Sequence, residues 1–217
     1  MAKAKKELEK RSYEFEVRAE AQDDGQKVIT GRPIVYEAET DIGWFKEIIE
    51  RGALDGADLT DVRFLVNHNT EMIPLARSRR NNGKSTMQLN VDADGLGIEV
   101  KLDTENNSDA RALYSAVERS DISGMSFMFS VSEEDWEDLD SDYPTRRIKK
   151  IGSVVEVSAV TWPAYEQTEI NARSKEALEN ARSAVETARQ QRSKSLESDQ
   201  RNLMELEKEK FKFKQIY

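Results

Sequence analysis

The sequence contains no cysteine and only one histidine, His68. The lack of cysteine excludes disulfides, thiolate catalysis and cysteine-bound zinc, and the single histidine excludes any site that needs two imidazoles. Long apolar runs are also missing, since no window approaches the roughly 20 apolar residues of a membrane span. The charged residues 1–11 do not resemble a secretory signal. We therefore expect a soluble intracellular protein that needs no metal or other cofactor and has no membrane partner.

The net charge of −9 is divided unevenly along the chain. Residues 173–217 contain 11 Lys and Arg against 8 Asp and Glu, a balance of +3, whereas residues 1–172 contain 22 against 34, a balance of −12. Nucleic-acid binding depends on basic surface, and an acidic body argues against it. We therefore expect no nucleic-acid partner.

Residues 173–217 also differ from the rest of the chain in pattern, because they lack proline and glycine and their small apolar residues recur at helical spacing. The sequence predicts three parts. They are a helical or disordered leader over residues 1–11, a folded domain over residues 12–172, and a helical tail over residues 173–217 with a weaker, hinged segment at 193–200. Because the apolar stripe of the tail is thin, we expect it to pack on a partner or on a second copy of the chain.

Alternation of apolar and polar residues predicts that the folded domain consists mainly of β-strands. The predicted strands cover residues 12–21, 27–36, 62–68, 85–91, 96–102, 121–131 and 146–160. A hairpin turn is expected at residues 92–95 and an amphipathic helix at 109–119. Residues 41–52 are predicted as a loop with a short helix, and the acidic residues 133–142 as a solvated loop.

The strand predicted at residues 121–131 carries a serine on its less apolar face. Met125, Phe127 and Phe129 point to one side of this strand, and Ser126 points to the other. A glycine two positions before the serine leaves open space around its hydroxyl. A serine in a strand is ordinarily structural, so its neighbours decide whether it has a chemical role.

Two other strands carry a base and a carboxylate. His68 ends the strand predicted at residues 62–68, on the same face as Phe64 and Val66. Glu156 alternates with valines, so it points away from the apolar side of its own strand. The three strands therefore offer an imidazole, a hydroxyl and a carboxylate.

Hydrolysis of an amide by serine needs a base that takes the hydroxyl proton and an acceptor that orients this base. Adjacent strands lie about 5 Å apart, so side chains on neighbouring strands can reach hydrogen-bond contact. In this interpretation His68 is the general base, Ser126 is the nucleophile and Glu156 is the acceptor. The residues alone leave simpler interpretations open, in which the histidine is a satisfied surface side chain and the glutamate is merely solvated.

Three segments are similar to those of the tailed-phage prohead maturation proteases, the HK97-type family, which is related in fold to the herpesvirus assembly proteases. The segments are FLVNHN at residues 64–69 followed by Pro74-Leu75, SGMSFMF at 123–129, and VEVSAVTWPAY at 155–165. GRPIVY at residues 31–36 and GWF at 43–45 fit as well. The resemblance covers residues 12–172 and has the family's order of histidine, serine and acidic residue.

The resemblance implies roles for individual residues. His68 and Ser126 match the base and the nucleophile of the family, and Glu156 matches its acidic position. Ala76 stands where the family often has glycine, and Met128 stands at a position that is commonly small. Both departures bear on how a substrate fits.

Arg77 follows the histidine segment and is a candidate neighbour of the site, although an ordinary surface arginine is the simpler interpretation. The fold implied is α+β, with a mostly antiparallel, barrel-like sheet, flanking helices and a C-terminal helical extension.

The function implied is that of a serine endopeptidase, made in the cytoplasm of the infected bacterium and packaged inside the procapsid. It would cleave the scaffold or the N-terminal extension of the major capsid protein, and also itself. The tail is expected to act as a targeting or scaffold-like extension that maturation removes, or to join copies of the chain into a homo-oligomer.

Two alternatives stay open. One is a non-catalytic scaffolding or assembly protein on the same fold, which the separate tail favours. The other is a small-molecule or nucleotide-binding module, which the acidic body and the lack of a glycine-rich phosphate loop disfavour.

Overall fold

The computed structural model of the chain describes residues 8–13, 17–23, 25–161 and 175–214. Within these ranges the strands are β1 (Glu9–Tyr13), β2 (Val17–Ala21), β3 (Lys27–Val35), β4 (Glu39–Asp41), β5 (Lys46–Ile49), β6 (Asp61–Val66), β7 (Ala76–Arg79), β8 (Met87–Asp92), β9 (Gly95–Leu102), β10 (Gly124–Glu137) and β11 (Thr145–Val160). The helices in the same ranges are α1 (Ser108–Glu118) and α2 (Lys175–Lys214). The strands form two sheets, and the predicted α+β class is confirmed.

The larger sheet is organised around β10 and β11, which pair antiparallel. β1 pairs antiparallel with the other side of β10. β11 pairs in parallel with β5 near its beginning and with β6 near its end, and β4 and β7 complete this sheet. The smaller sheet has the order β2-β3-β9-β8. Neither sheet closes into a barrel among the described residues, so the barrel-like form stays a prediction.

One large apolar core joins the two sheets and α1. β10 contributes Met125, Phe127 and Phe129, none of which is exposed to solvent. Burial of each such side chain stabilises the fold by about 1.5–3 kcal/mol. Because these three residues face the core as predicted, the alternate residue Ser126 points to the opposite side of the strand.

The predicted helix and hairpin are confirmed. Residues 109–119 correspond to α1, and the strands predicted at 85–91 and 96–102 correspond to β8 and β9. The turn between these strands ends at Gly95, whose φ is 139°. A Cβ there would lie 2.0 Å from the carbonyl oxygen of Ile34, so only glycine fits this close approach.

Residues 41–52 contain a strand where the sequence predicts a loop with a short helix. β5 pairs antiparallel with β4 and in parallel with β11, so it lies inside the sheet. Its residues Glu47, Ile48 and Ile49 are all buried. A strand that is buried on both faces lacks the alternation of apolar and polar residues, and its apolar positions therefore imitate helical spacing.

The acidic residues 133–142, predicted as a solvated loop, begin as a strand because β10 continues to Glu137. The facing part of β11 is basic. Asp135 accepts a hydrogen bond of 2.8 Å from Lys149, and Glu137 accepts one of 2.6 Å from Arg147. Opposite charges on the paired strands compensate each other. The sequence of β10 or of β11 considered alone does not reveal this compensation.

The strand predicted at residues 12–21 is two strands, β1 and β2, which belong to different sheets. Residues 9–11, predicted within a helical or disordered leader, lie in β1. Their charged sequence has no apolar alternation. They form a strand because they pair with β10 and because their side chains form ion pairs with residues of the larger sheet. Residues 1–7 lie outside the described residues, and the three-part division of the chain stays a prediction.

α2 is one continuous helix of 40 residues, and the predicted hinged segment at 193–200 is wrong. That segment contains no glycine or proline that would interrupt a helix. Near its beginning α2 contacts the larger sheet: Val185 is buried against Phe45, and Arg189 Nε donates a hydrogen bond of 2.8 Å to the carbonyl oxygen of Leu139.

Further along α2 the apolar side chains Leu196, Leu203 and Met204 are exposed. The predicted packing of the tail on a partner or on a second copy stays a prediction. In the described part of the chain no helix is long and apolar enough to cross a membrane. Residues 162–165, the end of the VEVSAVTWPAY segment, lie outside the described residues.

Candidate active site

Three side chains that are distant in sequence meet beside β10. His68 Nε2 lies 2.6 Å from Ser126 Oγ, and His68 Nδ1 forms a short hydrogen bond with Glu156 Oε1. The histidine follows β6, the serine lies on β10 and the glutamate lies on β11. The structure therefore brings all three residues of the predicted site together. Their catalytic roles stay a prediction.

The position of His68 depends on a turn rather than on the strand before it. β6 ends at Val66, and Asn67 and His68 have φ values of 52° and 57°. The prediction that His68 shares a face with Phe64 is wrong, because alternation stops where the backbone becomes left-handed. Asparagine tolerates this conformation better than most residues. Asn67 Oδ1 also accepts a hydrogen bond of 3.0 Å from the amide of Thr161, which fixes the turn to the end of β11.

The position of Ser126 follows from strand register. Ser126 lies opposite Ser158 of β11 and opposite Ser12 of β1, so three serines form a row across the sheet. None of the surface of Ser126 is exposed. The nucleophile candidate is thus enclosed on both sides by strands.

Ser158 links the acidic residue to the histidine. Its hydroxyl donates a hydrogen bond of 2.7 Å to Glu156 Oε2 and accepts one of 3.0 Å from the backbone amide of His68. Glu156 is buried, so each oxygen of its carboxylate needs a partner, and Ser158 and His68 supply one each. We call Ser126, His68, Glu156 and Ser158 the serine cluster.

The role of Ser158 was not predicted from the sequence. A signal was present, because Ser158 lies two residues after Glu156 and therefore on the same face of the strand. Arg77, the candidate neighbour, does not join the serine cluster. It pairs with Asp61 at 2.5 Å, in agreement with an ordinary surface arginine.

The two departures from the family pattern have different surroundings. Ala76 lies opposite Phe64 in the pairing of β6 with β7 and is buried in the core. Met128 lies opposite Glu156 in the pairing of β10 with β11 and is partly buried. Of the two, Met128 is therefore the one beside the serine cluster.

β1 reaches the nucleophile candidate directly. Ser126 Oγ donates a hydrogen bond of 2.6 Å to the carbonyl oxygen of Arg11, and Ser12 Oγ donates one of 2.9 Å to Ser126 Oγ. A serine hydroxyl has one proton, so donation to Arg11 competes with donation to His68. The hydroxyl can therefore donate to His68 only when it does not donate to Arg11.

Arg11 also enters a set of charged side chains on β5, β10 and β11, of which Glu47 and Arg146 are buried. Its guanidinium donates to both carboxylate oxygens of Glu47, from Nε at 2.5 Å and from Nη2 at 2.6 Å. Arg146 donates to Glu47 at 3.0 Å and to Glu9 at 2.7 and 2.9 Å. Arg146 also forms an ion pair with Glu134. We call Glu9, Arg11, Glu47, Glu134 and Arg146 the charged cluster.

The pKa values in the charged cluster follow from its ion pairs. Burial raises the pKa of Glu9, but hydrogen bonds and charges from Arg146 and Arg11 lower it more, to about 2. Burial lowers the pKa of Arg11, but Glu47 and Glu9 raise it more, so it lies above its ordinary value. Glu9 and Arg11 therefore stay charged at neutral pH.

Within the described ranges no group of three or more histidine and acidic side chains is arranged to hold a metal ion. The chemistry that these clusters offer is proton transfer along the serine cluster and recognition of charge in the charged cluster.

Comparisons with known proteins identify a matching family. The model of the caudovirus prohead serine protease family matches residues 13–183, which include His68, Ser126 and Glu156. No curated protein matches the chain. Among solved structures, the bacteriophage T4 capsid assembly protease is similar with a TM-score of 0.46 and 12% sequence identity, over 74% of this chain and 100% of that chain.

Proposed function

Because the chain belongs to the family of caudovirus prohead serine proteases, we propose that it is the serine endopeptidase of procapsid maturation. Its substrates are the scaffold or the N-terminal extension of the major capsid protein, and its own chain. It acts inside the procapsid, after assembly in the cytoplasm of the infected bacterium.

The single observation that supports this proposal is the continuous set of hydrogen bonds from Ser126 through His68 to Glu156. A nucleophile, a base and an orienting carboxylate in that order are the arrangement that serine proteases use. The family match covers all three residues.

In the acylation step, Ser126 Oγ attacks the carbonyl carbon of the scissile bond while its proton moves to His68 Nε2. His68 then gives this proton to the leaving amide nitrogen as the carbon–nitrogen bond breaks. Glu156 accepts a hydrogen bond from His68 Nδ1–H without taking its proton, which stabilises the imidazolium during the step. In the second half, water attacks the acyl group, with His68 again as the base.

Ser158 acts through Glu156 and is a positioning residue. Its hydroxyl donates a hydrogen bond to Glu156 Oε2, which leaves Oε1 as the oxygen that bonds to the histidine. Its oxygen also accepts from the backbone amide of His68, which helps to hold the left-handed turn in place.

Co-expression of the chain with its capsid protein tests the proposal. Wild type is expected to shorten the capsid protein on a gel, and Ser126→Ala is expected to leave it at full length. Ser130→Ala is the matched control, because Ser130 is also a buried serine of β10, bonded to Ser153 at 2.9 Å outside the cluster. Equal processing by wild type and Ser126→Ala would remove Ser126 from the mechanism.

A non-catalytic assembly role is the second candidate function. The exposed apolar side chains far along α2 favour it, because they suit a helix that contacts other assembly components. Absence of processing by wild type, together with normal procapsid yield, would support this role.

We further propose that residues 173–217 are a targeting extension that is removed during maturation. Mass spectrometry of mature particles is expected to detect the chain without its C-terminal peptide. An intact C-terminus in those particles would contradict removal.

A further inference from the structure

β1 lies where a substrate strand could lie. In the pairing of β10 with β1, Arg11 lies opposite Phe127 and Ser12 lies opposite Ser126, without a register shift. β10 is paired with β11 on its other side, so removal of β1 would leave an open strand edge next to the nucleophile candidate. Open edges bind extended peptides through main-chain hydrogen bonds, while pockets for alternate side chains provide specificity.

The backbone of β1 meets Ser126 in the way a bound peptide would. The carbonyl oxygen of Arg11 accepts the hydroxyl proton of Ser126 at 2.6 Å. A peptide in the same register would therefore bring one carbonyl to Ser126, and the residue with that carbonyl would hold the position of Arg11. The side chain at this position enters the charged cluster.

The charged cluster is incomplete without β1. When Arg11 and Glu9 leave together, the net charge of the cluster does not change, but Glu47 loses the two hydrogen bonds that the Arg11 guanidinium donates to it. The carboxylate of Glu47 has no exposed surface, and its Oε1 is bonded to Arg11. Arg146 still donates to Glu47 Oε2, but Oε1 loses its cation. A buried carboxylate that loses one of its two cations is destabilised, so the empty site favours a new cation in the same place.

Resting on the proposed function, we infer that the substrate binds as an antiparallel strand on β10 in the place of β1, and that Glu47 selects a basic side chain at the residue whose carbonyl meets Ser126. In the same substrate, Arg146 favours an acidic side chain two residues before this basic residue, in the place of Glu9. β1 is thus an internal competitor for the substrate site, and it leaves when a substrate strand binds.

A peptide-binding experiment tests this inference in the full chain. The protein has Ser126→Ala to prevent cleavage and Arg11→Ala to release β1. The probe is a fluorescent peptide with the sequence of residues 8–13, Leu-Glu-Lys-Arg-Ser-Tyr, and its control has alanine in place of arginine. We expect the control peptide to bind about 10- to 100-fold more weakly, as for loss of a charged hydrogen bond. Adding Glu47→Gln should remove this difference.

Hydrogen exchange of the backbone amides checks the release of β1. Met125–Phe129 are expected to exchange faster with Arg11→Ala than with Lys10→Ala, which removes an exposed lysine from the same strand. Unchanged exchange with Arg11→Ala would overturn the role of the Arg11–Glu47 pair in holding β1.

Two binding results would also overturn the inference. One is equal affinity for the arginine and alanine peptides. The other is a preference for arginine that persists with Glu47→Gln. Because the measurement needs no cleavage, it is independent of the proposed function, which fails separately if Ser126→Ala processes the capsid protein as wild type does.

Discussion

The serine cluster and the charged cluster both include a residue of β10, but they depend on β1 in different ways. Ser126, His68 and Glu156 are joined by hydrogen bonds that β1 does not supply. The charged cluster obtains Glu9 and Arg11 from β1, and Glu47 loses its bidentate partner when β1 leaves. The hydrogen bonds among Ser126, His68 and Glu156 would therefore persist without β1, whereas the charged cluster would lose Glu9 and Arg11.

The largest effect is expected from His68→Ala, which removes the base from the serine cluster. Processing of the capsid protein should fall by about 10⁶-fold, as when a triad residue of other serine proteases is deleted. A gel of co-expressed capsid protein measures it, with Arg77→Ala as the control for a charged side chain outside the cluster. Appreciable processing by His68→Ala would mean that another group accepts the Ser126 proton.

A smaller loss is expected from Glu156→Gln, which keeps the shape of the side chain but removes its charge. The amide can donate to His68 Nδ1 and so favours the wrong tautomer, and such a change costs about 10⁴-fold in a serine protease. A weak residual activity should therefore be measurable in a time course. Full activity would show that a different acceptor orients the imidazole.

Ser158→Ala should reduce processing by about 10- to 100-fold, because loss of one buried hydrogen bond to a charged group costs about 1.5–3 kcal/mol. Ser158→Thr keeps the hydroxyl and should restore most of the activity, which a purely structural role would not predict. If Ser158→Ala were as active as Ser130→Ala, Ser158 would not position Glu156.

The smallest effect concerns the charged cluster and leaves the serine cluster intact. The pKa of Glu9 is lowered to about 2 in the fold, from 4.5 in its absence. A lowered carboxyl pKa stabilises the fold above the unfolded value and loses this contribution as the pH falls through the folded value. The melting temperature of wild type should therefore exceed that of Glu9→Gln at neutral pH, and the difference should shrink between about pH 4.5 and pH 2.

A constant difference in melting temperature across that pH range would contradict the assignment of Glu9 to the cluster with Arg11, Arg146, Glu47 and Glu134. Glu20→Gln is the matched control, because Glu20 lies exposed on β2 in the other sheet.

Apolar patterns in the sequence predicted the strands and helices whose pattern depends only on their own residues and not on the strands that pair with them. Alternation identified the core face of β10, and helical spacing identified α1, since each depends only on residues within the element. The same reasoning failed for β5, where burial on both faces removed the alternation, and for the end of β10, where the compensating charges lie on β11. Residues 9–11 have no apolar pattern at all, and only β10 and Glu47 explain why they form a strand.

By itself the sequence determined which side chains were available for chemistry: one imidazole, a serine opposite an apolar strand face, and a glutamate between valines. It also specified their order along the chain. The tertiary structure decided that these groups touch, since the left-handed turn at Asn67 and His68 and the register of Ser126 with Ser158 depend on contacts between strands. It alone decided that β1 occupies the edge beside Ser126, because strand pairing and buried ion pairs are made by residues that lie far apart in the chain.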